Sequence, residues 1–303
     1  MTHSKLVVKR DGSIVPLDIA KIKKCIAWAS EGLDVNELAL ESKFNEYLVP
    51  EMSTRSIQDS LITAARSLAS RAEPDWTIVE GRLLTMNLWK ERKAYDKTKE
   101  CFYSWVQEQI QKNEYKGSLV LDLFVKYTPE DFRYLSTLID QQADLNQSYG
   151  SVFTAIQKYL TPSECTQQMF LVNAMIIASI EEASNRVKFA EELYIGMKDR
   201  KLSFASPWLS NLRIGGSIDS CFIIQPDDDI NSIFHNVSNA AKISKAGGGL
   251  GTSLSRIRAK GSEVNGRKNA SKGVFGWARI FNDVALFVDQ GGCYTQPPLH
   301  SNM

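Results

Sequence analysis

The sequence predicts an α/β protein whose N-terminal two thirds are largely helical, and three observations carry that prediction. The chain opens on a short β-type run, an Asp-Gly turn and a second short run, with helical periods following. Apolar residues then recur at helical spacing to about residue 205. From about residue 206 strand and helix patterns alternate, which is the order of a parallel α/β arrangement.

Each element follows from its residues. Lys5 to Arg10 is the first run, Asp11-Gly12 is a two-residue hairpin signal, and Ser13 to Pro16 is the return strand. Asp18 is placed to cap a helix with Ile19, Ile22, Ile26 and Ala29 on one face. A Glu- and Asn-bearing stretch leads to the cap signal Met52-Ser53-Thr54 and a helix carrying Ile57, Leu61, Ala64, Ala65 and Leu68. Pro74-Asp75 starts another, with Ile78, Leu84, Leu88 and Trp89. Farther on, Tyr103, Val106 and Ile110 form one stripe, and Leu135, Leu138 and Ile139 a second. Thr128-Pro129-Glu130 and Thr161-Pro162-Ser163-Glu164 are cap-plus-proline helix starts, and Met169 to Ala178 is apolar enough for a buried helix. Ser220 to Ile224 is a short strand, and Pro226 to Asp229 caps a helix that Gly247-Gly248-Gly249 ends. Thr252 to Ile257 reads as a second strand, and Gly276 to Val288 as a final helix.

Composition narrows the function. The 303 residues are 43% hydrophobic and 23% charged, with 36 basic and 35 acidic side chains and a net charge of +1. That balance is not the basic footprint of a nucleic-acid binder. No apolar run approaches the ~20 residues that span a bilayer, and the N-terminus lacks a signal-peptide core, so the expectation is a cytoplasmic protein without membrane or nucleic-acid partners. Five widely spaced cysteines with no CxxC pair argue against a disulfide scaffold and a structural zinc site. With three scattered histidines, no metal is expected on this chain.

Several residue groups have a plain reading. Lys9, Arg10, Lys21 and Lys90 make a polyphosphate site if they converge and a solvated surface if they do not. Cys221 in isolation is a small buried hydrophobe. The run Ala246 to Gly251 lacks phosphate-loop spacing, since Lys245 precedes the glycines, and it reads as a helix end with a tight return.

Order and spacing add a resemblance. Val8-Lys9-Arg10-Asp11-Gly12, then Leu17-Asp18, Lys21-Ile22 and Asn87-Leu88-Trp89-Lys90-Glu91, resemble the ATP-cone. Ser220-Cys221-Phe222, Ile243 to Gly251, Ser255 to Ser262 and Val288 to Gly292 follow in the order of the large subunit of a class I ribonucleotide reductase. The resemblance implies an ATP-cone over 1–95, a helical domain over 96–219 and the first strands and helices of a ten-stranded α/β barrel over 220–292. It is expected to end at Gly292, inside the second specificity loop, with 293–303 as an unrelated disordered tail.

Site residues carry over position by position. Lys9, Arg10, Lys21 and Lys90 would bind ATP or dATP, and Gln58 or Asp59 falls where some relatives place a nucleotide-facing His or Asp. Cys221 would be one of two thiols that reduce the ribose, a pairing that needs a partner within ~7 Å between Cα atoms, and the other thiol lies outside this chain. Ser206, Ser220 and the backbone at Gly249 would line the substrate site. Asp228 and Arg258, thirty residues apart, would hold the ribose and phosphates of a dNTP effector, with Lys245 as a further phosphate contact and Gln290 in the base-reading loop. Asp227 and Asp229 compete with Asp228 as the helix cap, which leaves that register open by one. The residues from Ala259 to Lys272 would form a mobile first specificity loop.

The implied activity is reduction of ribonucleoside diphosphates. It would need a second chain with the rest of the large subunit, a small subunit carrying a metal-radical cofactor, and thioredoxin or glutaredoxin as reductant, on a dimer of large subunits. A catalytically inactive nucleotide-binding module and a truncation product are the other expectations.

Overall fold

A computed structural model describes residues 5–288. Its first unit is a three-stranded sheet against four helices. Strand β1 (Leu6–Val8) pairs antiparallel with β2 (Ile14–Pro16) and parallel with β3 (Glu51–Ser53). The hairpin connection is five residues, wider than the Asp-Gly signal predicts. Asp11 Oδ1 accepts from the Ser13 N–H at 2.9 Å and Gly12 takes a φ of 82°, which glycine adopts freely. Asp18 caps α1 (Ile19–Ser30) as predicted, accepting from the Ala20 and Lys21 N–H groups.

Helix α2 (Glu37–Asn45) and strand β3 fill the Glu- and Asn-bearing stretch. Ser53 ends β3 and caps α3 (Thr54–Leu68), so a single residue serves both elements. Helix α4 (Trp76–Arg92) completes the unit, with Trp76, Val79 and Leu83 in its core.

Helix α4 also packs into the helical domain. Its Leu88 lies with Ala94, Tyr95, Val152 and Ile156 in a second cluster. Lys93, at a left-handed φ of 52°, breaks α4 from α5 (Ala94–Gln111). Then come α6 (Ser118–Lys126), α7 (Pro129–Thr137), a 3-10 turn (Gln141–Asn146), α8 (Tyr149–Lys158), α9 (Thr166–Ala178), α10 (Ala183–Lys198) and α11 (Ser206–Ile214). Thr128 and Asp131 close the predicted cap of α7 reciprocally. Helix α7 stops at Thr137, so Leu138 is its cap and Ile139 lies beyond it.

The predicted helix start at Thr161 is not one; α9 begins at Thr166, after a turn. The reason is Glu164. Its carboxylate accepts from the Thr161 N–H at 2.8 Å, as a cap would, but it also pairs with Arg213 at 2.6 Å, and both side chains are fully buried. Tyr115 donates to Glu164 at 2.5 Å, and Arg213 donates to Asn173 Oδ1 at 2.7 Å and to the Tyr159 carbonyl at 2.9 Å. From α4, Arg92 donates to the carbonyls of Thr161 and Glu164. A second buried carboxylate, Asp144, accepts from Trp89 of α4, Tyr95 and Gln167; burial pushes its pKa up to about 6.

The last unit is a parallel pair, β4 (Cys221–Ile224) and β5 (Gly249–Thr252), with α12 (Ile230–Lys245) between them and α13 (Val274–Phe287) after. The strand predicted over 252–257 is displaced into the glycine run, where the register pairs Cys221 with Gly249. The glycines permit this: a Cβ at Gly248 would come within 2.8 Å of the Phe222 ring.

Removing one partner of a fully buried ion pair leaves the other charged and unpaired, at a cost of about 3–5 kcal/mol. Arg213→Ala is therefore expected to destabilise the protein by about that amount, measured by urea unfolding against the parent chain; a loss under about 1 kcal/mol, the size of an exposed pair, contradicts this assignment.

Candidate functional site

The first candidate site is a cavity of about 320 Å³ under the hairpin. Strand β1 and its loop supply Val7 and Lys9, α1 supplies Lys21, Ile22 and Cys25, α3 supplies Gln58, and the end of α4 supplies Lys90. Three of the four predicted cations thus converge. Lys21 is 3.7 Å from Asp18, and Lys90 Nζ donates to Met86 Sδ at 3.1 Å. Burial pushes the Cys25 thiol up, against the pull of Lys90.

Arg10 is the exception. It reaches over α4, donating to Asn87 Oδ1 at 3.1 Å and lying 3.8 Å from Glu91. Of the Gln58/Asp59 alternative, Gln58 lines this cavity and Asp59 lines a different one. Gln58 Nε2 donates to the Leu83 carbonyl at 2.8 Å, which ties α3 to α4. Asn87 and Glu91 do not stand out in the sequence as holders of Arg10, although they fall on one stripe of α4.

The second candidate site is a cavity of about 440 Å³ between the start of α12, the loop after β5 and α13. Asp228 and Arg258 line it and meet directly, Arg258 Nε to Asp228 Oδ2 at 2.5 Å. The three consecutive aspartates have separate partners. Asp229 caps α12, Asp227 pairs with Arg256 at 2.6 Å, and Asp228 faces Arg258. The loop over 259–273 closes on itself, Gly261 N donating to the Ser271 carbonyl at 2.9 Å and Val264 bridging to Arg267. Lys245 is not brought to this cavity. It lies on the last turn of α12, and at ~1.5 Å per residue the helix carries it more than 20 Å from the Asp229 cap. Gln290 lies outside the described residues.

The third group is the edge of the parallel pair. Cys221 is exposed, Ser220 Oγ is 3.6 Å from its sulfur, and the Gly249 N–H donates to the Ser220 carbonyl at 2.7 Å. Ser220, Cys221 and Gly249 are therefore contiguous. Ser206 is placed by another element, at the start of α11, 3.0 Å from the Tyr159 hydroxyl. Among the described residues Cys221 has no disulfide partner, and no three His, Cys, Asp or Glu side chains converge as a metal site. No described helix is long and apolar enough to cross a membrane.

Comparison with known proteins matches three segments of the chain to family domains. Residues 5–91 match the ATP cone domain, 145–217 the ribonucleotide reductase all-alpha domain and 219–295 the ribonucleotide reductase barrel domain. The chain belongs to the ribonucleotide reductase large-subunit family, as its N-terminal portion. It is 40% identical over 294 residues to the ribonucleoside-diphosphate reductase subunit alpha of Synechocystis sp., covering 96% of this chain and 37% of that protein. It is 32% identical to the subunit alpha of Helicobacter pylori strain 26695, over 94% of this chain and 36% of that one. With the reductase 1 subunit alpha of Escherichia coli K12 it shares 29% identity, over 96% and 39%. The chain thus spans well under half the length of these relatives. Among solved structures, the class Id ribonucleotide reductase alpha subunit of Actinobacillus ureae aligns at 22% identity and a TM-score of 0.40, over 50% of this chain and 26% of that one.

The cavity beneath the hairpin lies wholly within the segment that matches the ATP cone. Lys9→Ala and Lys90→Ala are each expected to weaken ATP binding about tenfold, the loss of one charge-assisted contact, while the thermal midpoint stays within about 2 °C of the parent, as surface substitutions do. Calorimetric titration of the full chain reads this, and unchanged affinity in both variants contradicts a nucleotide role for this cavity.

Proposed function

We propose that this chain supplies the N-terminal part of a ribonucleoside-diphosphate reductase large subunit and works with a second chain that completes the barrel. The observation that carries this reading is the parallel pair itself. Strand β4 presents Cys221 at an accessible position, opposite the glycine strand, while Ile223 of the same strand is 86% exposed. A two-stranded parallel sheet with an apolar side chain in water is unusual, because parallel sheets are normally covered on both faces. Further strands would cover it.

In the completed enzyme Cys221 would be one of two reducing thiols, the second lying on the other chain. A ribose hydroxyl leaves as water, the two thiols give up two electrons and two protons, and their sulfurs join as a disulfide. Thioredoxin or glutaredoxin returns the pair to thiols. The oxidising equivalent comes from a small subunit with a metal-radical cofactor. Ser206, Ser220 and the Gly249 backbone would position the substrate. Asp228 and Arg258 would exchange their mutual contact for the ribose and phosphates of a dNTP effector, and the cone would take ATP or dATP. Lys245 would join a specificity site only through groups beyond the local cavity, as in a dimer of large subunits, and Gln290 would belong to the base-reading loop.

A second reading, a nucleotide-binding regulatory module without catalysis, draws support from the cone cavity, which residues 7–90 line without help from any later segment.

Co-purification of this chain with a polypeptide carrying the remaining barrel strands, followed by a ribonucleotide reduction assay with the small subunit, separates the two readings. The expected result is turnover that Cys221→Ser abolishes. No association and no turnover, with ATP still bound, would leave the regulatory module and overturn the split enzyme.

A further inference from the structure

A cavity of about 640 Å³, against about 320 Å³ for the cone cavity, lies where α3 and α4 of the cone meet α8 of the helical domain. The two cavities share no lining residue, and the larger one uses a different stripe of α4. Its volume is that of a small-molecule site. Neither the cone cavity nor the barrel edge accounts for it.

The lining has the chemistry of a site for a planar anion. Tyr149 and Phe153 of α8 stack with centroids 5.5 Å apart and planes 15° apart. Arg66 lies 4.2 Å over the Tyr149 ring, held there by Glu80 at 2.6 Å, whose own carboxylate is nearly buried. Phe153 is 43% exposed, so its ring is available for a further stacking partner. Arg55, one end of the α3 stripe that faces the cavity, is exposed and makes no ion pair among the described residues. Asn87 has its carbonyl oxygen taken by Arg10, which leaves its amide N–H groups to donate. Asp59 and Glu91 also line the cavity; Glu91 is 3.8 Å from Arg10.

The cavity is also pre-formed. Gly81 brings α4 against the start of α8 so closely that a Cβ would sit 2.1 Å from the Gln147 carbonyl oxygen. Gln58 and the Arg66–Glu80 pair fix α3 on α4. A ligand entering here would therefore meet walls already in place, without an ordering cost.

We propose that this groove is a further nucleotide site, in which a base stacks on Phe153 and a phosphate meets Arg55. Its occupant would touch α3 of the cone and α8 of the helical domain at once and so tie the two together. Base–aromatic stacking tolerates any base, so the site would select the nucleotide class and not one member of it.

The test uses the full chain with the other candidate sites disabled. In the Lys9→Ala, Lys90→Ala, Asp228→Ala background, calorimetry with Mg-ATP is expected to retain one binding event. Adding Phe153→Ala should weaken it about tenfold or more, as loss of a base stack does, and Arg55→Glu, a surface change that leaves folding intact, should weaken it comparably. Photolabelling of the parent chain with 8-azido-ATP should mark a peptide of α8 as well as the cone. Absence of the residual event, or a residual event indifferent to both substitutions with label confined to the cone, overturns the proposal. A lysate peptide bound at α8 while Mg-ATP is not would overturn it equally. The cone and Asp228 events are read separately, from the parent chain, so this proposal fails or stands apart from the function proposed above.

Discussion

Glu164 is the point at which the cone's last helix and the helical domain are held together. Its carboxylate and carbonyl receive Arg92 from α4, Tyr115 from the turn after α5, and Arg213 from α11. Arg213 in turn presents its carbonyl to the N–H groups of Lys116 and Gly117, both at 2.8 Å. Gly117 tolerates that approach because it has no Cβ; one there would lie 2.4 Å from the Leu212 carbonyl oxygen. A charge pair taken wholly out of water is held only when every remaining donor and acceptor finds a partner. Here those partners come from the cone's last helix, the helical domain and the helix that launches β4.

Asp144 repeats the logic a short distance away. Trp89, Tyr95 and Gln167 donate to it, and Tyr194 donates to Gln167 at 2.9 Å. Helix α4 therefore enters the helical domain at two buried acidic residues, Trp89 meeting the Asp144 carboxylate and Arg92 the Glu164 backbone carbonyl. Its cone-facing residue Lys90 lies between those two in sequence. The cone cavity and the helical domain are consequently read by adjacent side chains of one helix.

Much of this is legible from local sequence. Asp18, Ser53 and Thr128 are caps whose partners lie two or three residues on, so pattern suffices, whereas three consecutive aspartates leave the cap of α12 open until the structure gives it to Asp229. The convergence of Lys9, Lys21 and Lys90 is legible only through resemblance, since nothing in their spacing brings strand, first helix and fourth helix together. Helix α2 escapes the pattern because its apolar face is thin: Leu40 and Phe44 are buried while Leu38 is 70% exposed. The false helix start at Thr161 arises because the partner that diverts Glu164 is Arg213, far along the chain. Strand β5 is displaced because glycine is a poor strand former, and Gly249 to Thr252 extend only because β4 offers them a register. In the last two misses a long-range partner overrides a local preference.

On the function proposed above, β4 and β5 are a paired but uncovered start of a barrel. Amide hydrogen exchange measures this directly, comparing the chain alone with the chain bound to a polypeptide bearing the remaining strands. Slow exchange is expected in α9 and α11 in both states, and in β4 and β5 fast exchange in the chain alone that becomes strongly protected in the complex. Strands already protected in the isolated chain, or unchanged when the second polypeptide binds, would contradict it.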